Sequence, residues 1–166
     1  MLPPSLTRRP SALVLDAGDT LIFVDTQAIA DALAVHGHGA DPARLQEAMF
    51  FAKRAYQALV AQSCNHEDGW SLLMREALVR SGIEASLAPS LLPKLRAIHD
   101  ELYFWRKVPE ELPDALSRAK AAGIRLAVVS NSEGKIETML ARVGLREPLE
   151  FVLDSHHEGV SKPNPE

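Results

Sequence analysis

Three short segments place reactive side chains at the ends of apolar runs, and a lysine follows them. Asp16 ends the run Leu13-Val14-Leu15, with Gly18 and Asp19 directly behind it. Ser130 and Asn131 end Leu126-Ala127-Val128-Val129, Asp154 and Ser155 end Phe151-Val152-Leu153, and Lys162 stands in "GVSKPNPE". In an open parallel sheet, ligands bind beyond the carboxyl ends of the strands, so these residues share one rim if the runs are parallel strands. A carboxylate, a hydroxyl and an ammonium on one rim suit capture of an anionic group. The carboxylate attacks, while the hydroxyl and ammonium hold the charge that develops.

Each element has a plainer reading when taken alone. Asp16 or Asp19 could cap a helix or turn, "SNS" could cap the helix behind it, and a lysine before proline is an ordinary surface residue. Asp154 reads either as a metal ligand or as a residue that shapes the loop before Lys162. The order and spacing of the segments together carry the inference. The six histidines show no zinc-ligand spacing. His36 and His38 sit at a helix end, and the side chains of the adjacent His156 and His157 are expected to diverge. Trp105 reads as a packing aromatic, with the lining of a cleft between two domains as the alternative.

The elements that must position these residues follow from periodicity. Residues 11–17 form a compact apolar run stopped by glycine, which predicts a strand buried on both faces. From about Asp25 the pattern is helical for roughly eighty residues. "DTQAIADALAVHGHG" is alanine-rich and stops on glycines. "DPARLQEAMFFAKRAYQALVAQ" opens on an aspartate cap with proline at the first helical position. Its Leu45, Ala48, Met49, Ala52, Tyr56 and Leu59 make one apolar face. "EDGWSLLMREALVRSGI" and "LLPKLRAIHDELYFW" supply a third and a fourth helix. A helix from Pro113 to Gly123, the strand "IRLAVVS", the helix "GKIETMLARVGL" and the strand "EFVLDS" then follow. This order predicts an α/β fold, a parallel sheet interrupted by an inserted all-α bundle. The sheet domain takes residues 11–24 and 106–166, the bundle 25–105, and residues 1–10 read as a flexible leader.

The totals exclude several classes of function. The chain has 166 residues, 46% hydrophobic and 24% charged, the balance of a soluble globular protein. A net charge of -4 leaves no electrostatic footprint for nucleic acid. No stretch is long enough to span a bilayer, and "MLPPSLTRRP" lacks the apolar segment of a signal peptide. The single cysteine, Cys64, rules out an internal disulfide and a cysteine-rich zinc site, which suits a cytoplasmic protein.

"LDAGDTL", "LAVVSNS" and "GVSKPNPE", in that order, resemble the first three motifs of the haloacid dehalogenase-like (HAD) hydrolase superfamily. The resemblance runs from Ser11 to Glu166 and puts the helical bundle in the place of the family's inserted cap. It implies a Rossmann-like core bearing a helical cap, in the phosphatase-like branch. It also implies that Asp16 is the nucleophile, forming an aspartyl-phosphate that water hydrolyses. Ser130 would bond the transferring phosphoryl oxygens, and Lys162 would offset the charge shared by nucleophile and phosphate. Ser130, Asn131 and Lys162 form the implied substrate-binding set. Mg2+, held by Asp16 and the backbone carbonyl of Gly18, is the implied cofactor. The implied partner is a small phosphorylated metabolite or other small anionic substrate, with neither nucleic acid nor membrane.

The sequence departs from the family pattern at two places. Phosphatases of the family carry a second aspartate two residues after the nucleophile, which protonates the leaving group and later activates water. Gly18 stands there, and Asp19, one place on, reads as a turn residue. Losing a positioned acid costs about 10²–10⁴ in rate. The family's 2-haloacid dehalogenases also lack that acid, use no metal and expel halide, which needs no proton. Metal-free dehalogenation of a 2-halo acid is therefore the alternative, although no arginine in the helices stands out for a substrate carboxylate. The chain also stops at Glu166, before the strands and acidic pair with which the family completes its sheet and metal site. An unpaired edge at the first strand, weak magnesium binding and poor hydrolysis by this chain are expected. A non-catalytic binding or scaffold protein that keeps the fold is the third expectation.

Overall fold

The computed structural model describes residues 10–60 and 66–164. In chain order the elements are β1 (Ala12–Leu15), β2 (Phe23–Val24), α1 (Thr26–Val35), α2 (Pro42–Val60), α3 (His66–Arg80) and α4 (Ala88–Leu102). They continue with β3 (Trp105–Lys107), α5 (Leu112–Ala121), β4 (Arg125–Ser130), α6 (Ile136–Arg142), β5 (Phe151–Asp154) and α7 (Ser155–Glu158). The chain divides into two compact units, Met1–Val24 with Trp105–Glu166, and Asp25–Phe104. Of the sequence expectations, the leader before Pro10, the Leu59 side chain and Cys64 lie outside the described residues. Among the described residues, no helix is long and apolar enough to cross a membrane.

The first unit is an α/β fold built on a parallel sheet of order β1-β4-β5. Parallel neighbours need long crossovers. Between β4 and β5 the crossover contains α6, and between β1 and β4 it contains the whole helical unit and α5. Leu15 pairs with Val128 at the end of the first ladder, and Ser130 with Asp154 at the end of the second. Ala17, Leu21 and Ile22 join Leu116, Leu126, Val128, Ile136, Leu140, Leu145 and Leu149 in the core. Trp105, half-buried, packs against the same cluster.

One strand differs from its expected burial. The run ending at Asp16 is a strand, but Ala12, Leu13 and Val14 are exposed rather than buried on both faces. Val14 is 64% exposed. The reason is its place in the sheet order, where β1 is an edge strand with β4 as its neighbour among the described residues. An apolar run reports what a strand can bury, not how many neighbours cover it.

The second unit is all α, with α1–α4 packed around Ile29, Leu33, Leu45, Met49, Met74, Leu78, Leu91 and Leu95. Asp25 caps α1, its carboxylate accepting from the Ala28 N–H at 3.2 Å. Asp41 does the same for α2, accepting from the Ala43 N–H at 2.9 Å beside Pro42 in the first turn. Of the apolar face expected on α2, Leu45, Ala48, Met49 and Ala52 are buried and Tyr56 is half-buried. Short local bonds thus start α1 and α2, and apolar stripes of the four helices close the bundle.

Candidate active site

The sheet register decides which side chains can meet. Since Leu15 pairs with Val128, Asp16 follows β1 at the level of Val129, one residue before β4 ends at Ser130. Ser130 itself is buried and lies opposite Asp154. Behind Asp16 the chain folds back at once, with the N–H groups of Leu21 and Ile22 donating to the Ala17 carbonyl at 2.9 and 3.0 Å. The Asp19 N–H donates to the Ile22 carbonyl at 2.9 Å, and Asp19 takes a left-handed backbone conformation (φ 58°), which aspartate tolerates better than most residues. Asp19 is thus built into the turn.

Lys162 reaches this rim from the loop after α7. Its Nζ lies 3.0 Å from Asp16 Oδ1 and donates to the Val129 carbonyl at 2.8 Å. Asp16 Oδ1 also accepts from the Ala17 N–H at 2.8 Å. Both donors meet the same oxygen, which leaves Oδ2 without a donor among the described residues. The Asp16 and Lys162 side chains are 48% and 41% exposed, open enough for a ligand to reach them. The Asn131 amide is bonded to Lys162, donating from Nδ2 to its carbonyl at 2.9 Å and accepting its N–H at Oδ1 at 2.8 Å. Asp16, Asn131 and Lys162 are therefore brought together by direct bonds. Ser130 is placed by register alone, bonded to neither Asp16 nor Lys162 among the described residues.

Asp154 fixes the loop behind Ser130. Its Oδ1 accepts from the His156 N–H at 3.0 Å, capping α7, and its Oδ2 accepts from the Ile136 N–H at 3.3 Å, at the start of α6. Nearby, Ser155 Oγ accepts from the Ser132 N–H at 3.2 Å. Gly134 sits at φ +84°, and a Cβ there would come within 2.7 Å of the His156 ring. Only glycine lets the loop pass so close to α7. Burial pushes the Asp154 carboxyl up, but hydrogen bonding to the His156 N–H, the Ser132 side chain and the Ile136 and Gly134 N–H groups outweighs it, so the net direction is down. Ser132 Oγ, buried, meets no partner at full hydrogen-bond geometry, so the backbone donors are the firmer cause.

This arrangement predicts a stability effect with a pH signature. Asp154→Asn sets an NH2 group against backbone donors and is expected to destabilise the α/β unit by roughly 1–3 kcal/mol. Because folding lowers the Asp154 pKa, the carboxylate's contribution is present above the ordinary aspartate value of about 3.9 and is lost as pH falls below it. Urea unfolding of both proteins from pH 7 to pH 2 checks this. The gap between them should hold steady down to about pH 4 and close only below it.

A magnesium ion asks for hard oxygen donors and keeps several of its waters. The rim offers two such donors from this chain, the Asp16 carboxylate and the Gly18 carbonyl, which takes no hydrogen bond among the described residues. No three His, Cys, Asp or Glu side chains converge among the described residues. The donors fit magnesium in kind, with two protein oxygens and the remainder left to water and substrate. Two features of the rim escaped sequence reasoning. The Val129 carbonyl that holds Lys162 leaves no side-chain signal, and Ser155 was noted only as a strand end.

Comparison with known proteins bears on the family and the fold. The model of the haloacid dehalogenase-like hydrolase family matches residues 10–166. Human haloacid dehalogenase-like hydrolase domain-containing protein 3 is 27% identical over 168 residues, an alignment covering 92% of this chain and 64% of that protein. The present chain thus spans less than two thirds of that relative. A HAD-hydrolase from Bacillus subtilis, solved bound to magnesium, matches with a TM-score of 0.68 at 18% identity, over 95% of this chain and 68% of its own. L-2-haloacid dehalogenase from Xanthobacter autotrophicus, solved with chloropropionic acid covalently bound, matches with a TM-score of 0.55 at 18% identity, over 95% of this chain and 61% of its own. At such identities the structural likeness shows a common fold. With the family match running the length of the described chain, and the three motifs gathered on one rim of a parallel sheet, the chain belongs to the haloacid dehalogenase-like hydrolase family.

Proposed function

We propose that this protein hydrolyses phosphate esters of small metabolites through an aspartyl-phosphate at Asp16, with magnesium as cofactor. The observation that carries the reading is the Lys162 ammonium 3.0 Å from the Asp16 carboxylate, at the carboxyl ends of β1 and β4. A carboxylate that attacks an anion gathers negative charge at one point, and a fixed cation there offsets it. An Asp16 oxygen forms a bond to phosphorus, and the ester P–O bond breaks with its electron pair leaving on the alkoxide. Since Gly18 supplies no acid, that alkoxide takes its proton from water. A second water then attacks the phosphorus of the aspartyl-phosphate, releasing inorganic phosphate and restoring the carboxylate. Ser130 is the hydroxyl that bonds the phosphoryl oxygens. Magnesium, which the Asp16 carboxylate and Gly18 carbonyl would hold, supplies positive charge that reduces the repulsion between carboxylate and phosphate.

Gly18 favours a second reading, displacement of halide from a 2-halo acid. There the Asp16 oxygen bonds to the carbon, halide leaves with the bonding pair, and water hydrolyses the resulting ester. No proton is needed by the leaving group, so the missing acid costs nothing. One assay separates the readings, run on the 166-residue chain with p-nitrophenyl phosphate and with 2-chloropropionate, each with magnesium and with chelator. We expect slow, magnesium-dependent release of phosphate, abolished by chelator, and no chloride. Chloride release that survives chelator, without phosphate release, would overturn the phosphatase reading. Silence toward both would favour a binding or scaffold role.

A further inference from the structure

We propose that Asn131 is a positioning residue that fixes the Lys162 ammonium against Asp16, rather than a contact for the substrate. The inference rests on the reading of Asp16 and Lys162 as the reacting pair, and it begins from the reciprocal bonds of one amide. Asn131 Oδ1 accepts the Lys162 N–H at 2.8 Å, and Nδ2 donates to the Lys162 carbonyl at 2.9 Å. That pairing sets the amide orientation, because a flip would face NH2 against N–H and oxygen against oxygen. The side chain thereby copies one rung of a β-ladder, tying the end of β4 to a loop 31 residues away.

Lys162 is then held at both ends by the same short stretch. Asn131 grips its backbone, and the Val129 carbonyl accepts from its Nζ at 2.8 Å. A lysine stem has four rotatable bonds and a mobile charge, so an ammonium needs both constraints to stay at one point. Of its three N–H donors, one goes to Val129 and one to Asp16 Oδ1, and the third meets no partner among the described residues and is left for an incoming anion. The register of β1 on β4 places Asp16, so the end of β4 is the common reference for nucleophile and cation. Removing Asn131 disturbs one partner of the pair and leaves the other in place.

Two measurements on the full 166-residue chain need no turnover. One is hydrogen exchange at the Lys162 backbone amide. The other is the rate at which the Lys162 amine is acylated by an N-hydroxysuccinimide ester, with the remaining lysines of the same molecule as references. Asn131→Ala is expected to raise both by about 2- to 10-fold, the range that one net hydrogen bond spans. Asn131→Asp keeps the acceptor for the Lys162 N–H but sets a carboxylate oxygen against the Lys162 carbonyl, so exchange should rise here too, by less than in the alanine variant. That variant carries the test by itself if the alanine variant does not fold. On any phosphate ester the chain turns over, Asn131→Ala should lower kcat by about 100-fold and leave KM nearly unchanged. A raised KM at unchanged kcat would instead identify Asn131 as a substrate contact and overturn the proposal. So would exchange and acylation at Lys162 that match wild type in both variants. A chain silent toward every ester, yet showing the two Lys162 effects, would count against the phosphatase reading and leave the role of Asn131 standing.

Discussion

Gly18→Asp should raise turnover of an alkyl phosphate by about 10²–10⁴-fold, the usual worth of a positioned general acid. The backbone already accepts the change. Gly18 is outside the left-handed region that only glycine visits freely, and a Cβ built on it meets no atom within 4 Å. The turn that follows is closed by bonds to the Ala17 and Ile22 carbonyls, none of which involves a hydrogen that a side chain at 18 would displace. A carboxyl here stands two residues after Asp16, the place of the general acid in the phosphatase reading. The gain should depend on the leaving group. An alkoxide needs the proton badly, whereas p-nitrophenolate leaves without one, so the aryl ester should gain far less. Rates of both esters, wild type against variant, make the measurement. Equal gains would mean that the new carboxyl acts by something other than proton donation. A gain toward 2-chloropropionate instead would count against proton donation altogether, since halide takes none.

Asp16→Asn should remove turnover by a factor on the order of 10⁴–10⁶, as loss of a nucleophile does in other covalent catalysts. An amide neither attacks nor forms the mixed anhydride. The fold should hardly notice. The Asp16–Lys162 pair is close to half-exposed on both sides, and pairs of that kind contribute about 0–1 kcal/mol. The Ala17 N–H can still donate to the amide oxygen. A melting curve alongside the rate measurement therefore separates lost chemistry from lost structure. Full activity in Asp16→Asn would remove Asp16 from the mechanism, and with it both enzymatic readings.

The frame of the site was readable before any coordinates because it depends on local chemistry. Asp16, Ser130 and Asp154 each end an apolar run, and in a parallel sheet the ends of such runs fall on one rim. Helix starts at Asp25 and Asp41 were equally plain, since caps act within three residues. What could not be read depends on neighbours. The exposure of Leu13 and Val14 is not written in their own run; the unpaired edge expected at the first strand came from the family pattern, and β1 is an edge strand among the described residues. The β2–β3 pair is two and three residues long, too short to show a period. Helix α7, four residues long, exists because Asp154 caps it, and that aspartate looked from the sequence like a strand end. The turn of Asn131 toward Lys162 was hidden for the same reason. "SNS" shows a polar strand end, and only the return of the 159–164 loop gives its amide a partner.

The ties around Lys162 also bear on the order in which the molecule assembles. Asn131–Lys162, Ser132–Ser155 and Ile136–Asp154 span 31, 23 and 18 residues, all within the β4–α6–β5 segment and the loop that follows. Asp16 lies beyond the entire helical unit from every one of them. Loop-closure entropy grows with separation, and long-range parallel pairing is the slower event. The cationic half of the rim can therefore mature locally while the nucleophile is still unattached. Closing the loop back to β1 carries the larger entropic cost, so the pairing of β1 with β4 is expected to come last.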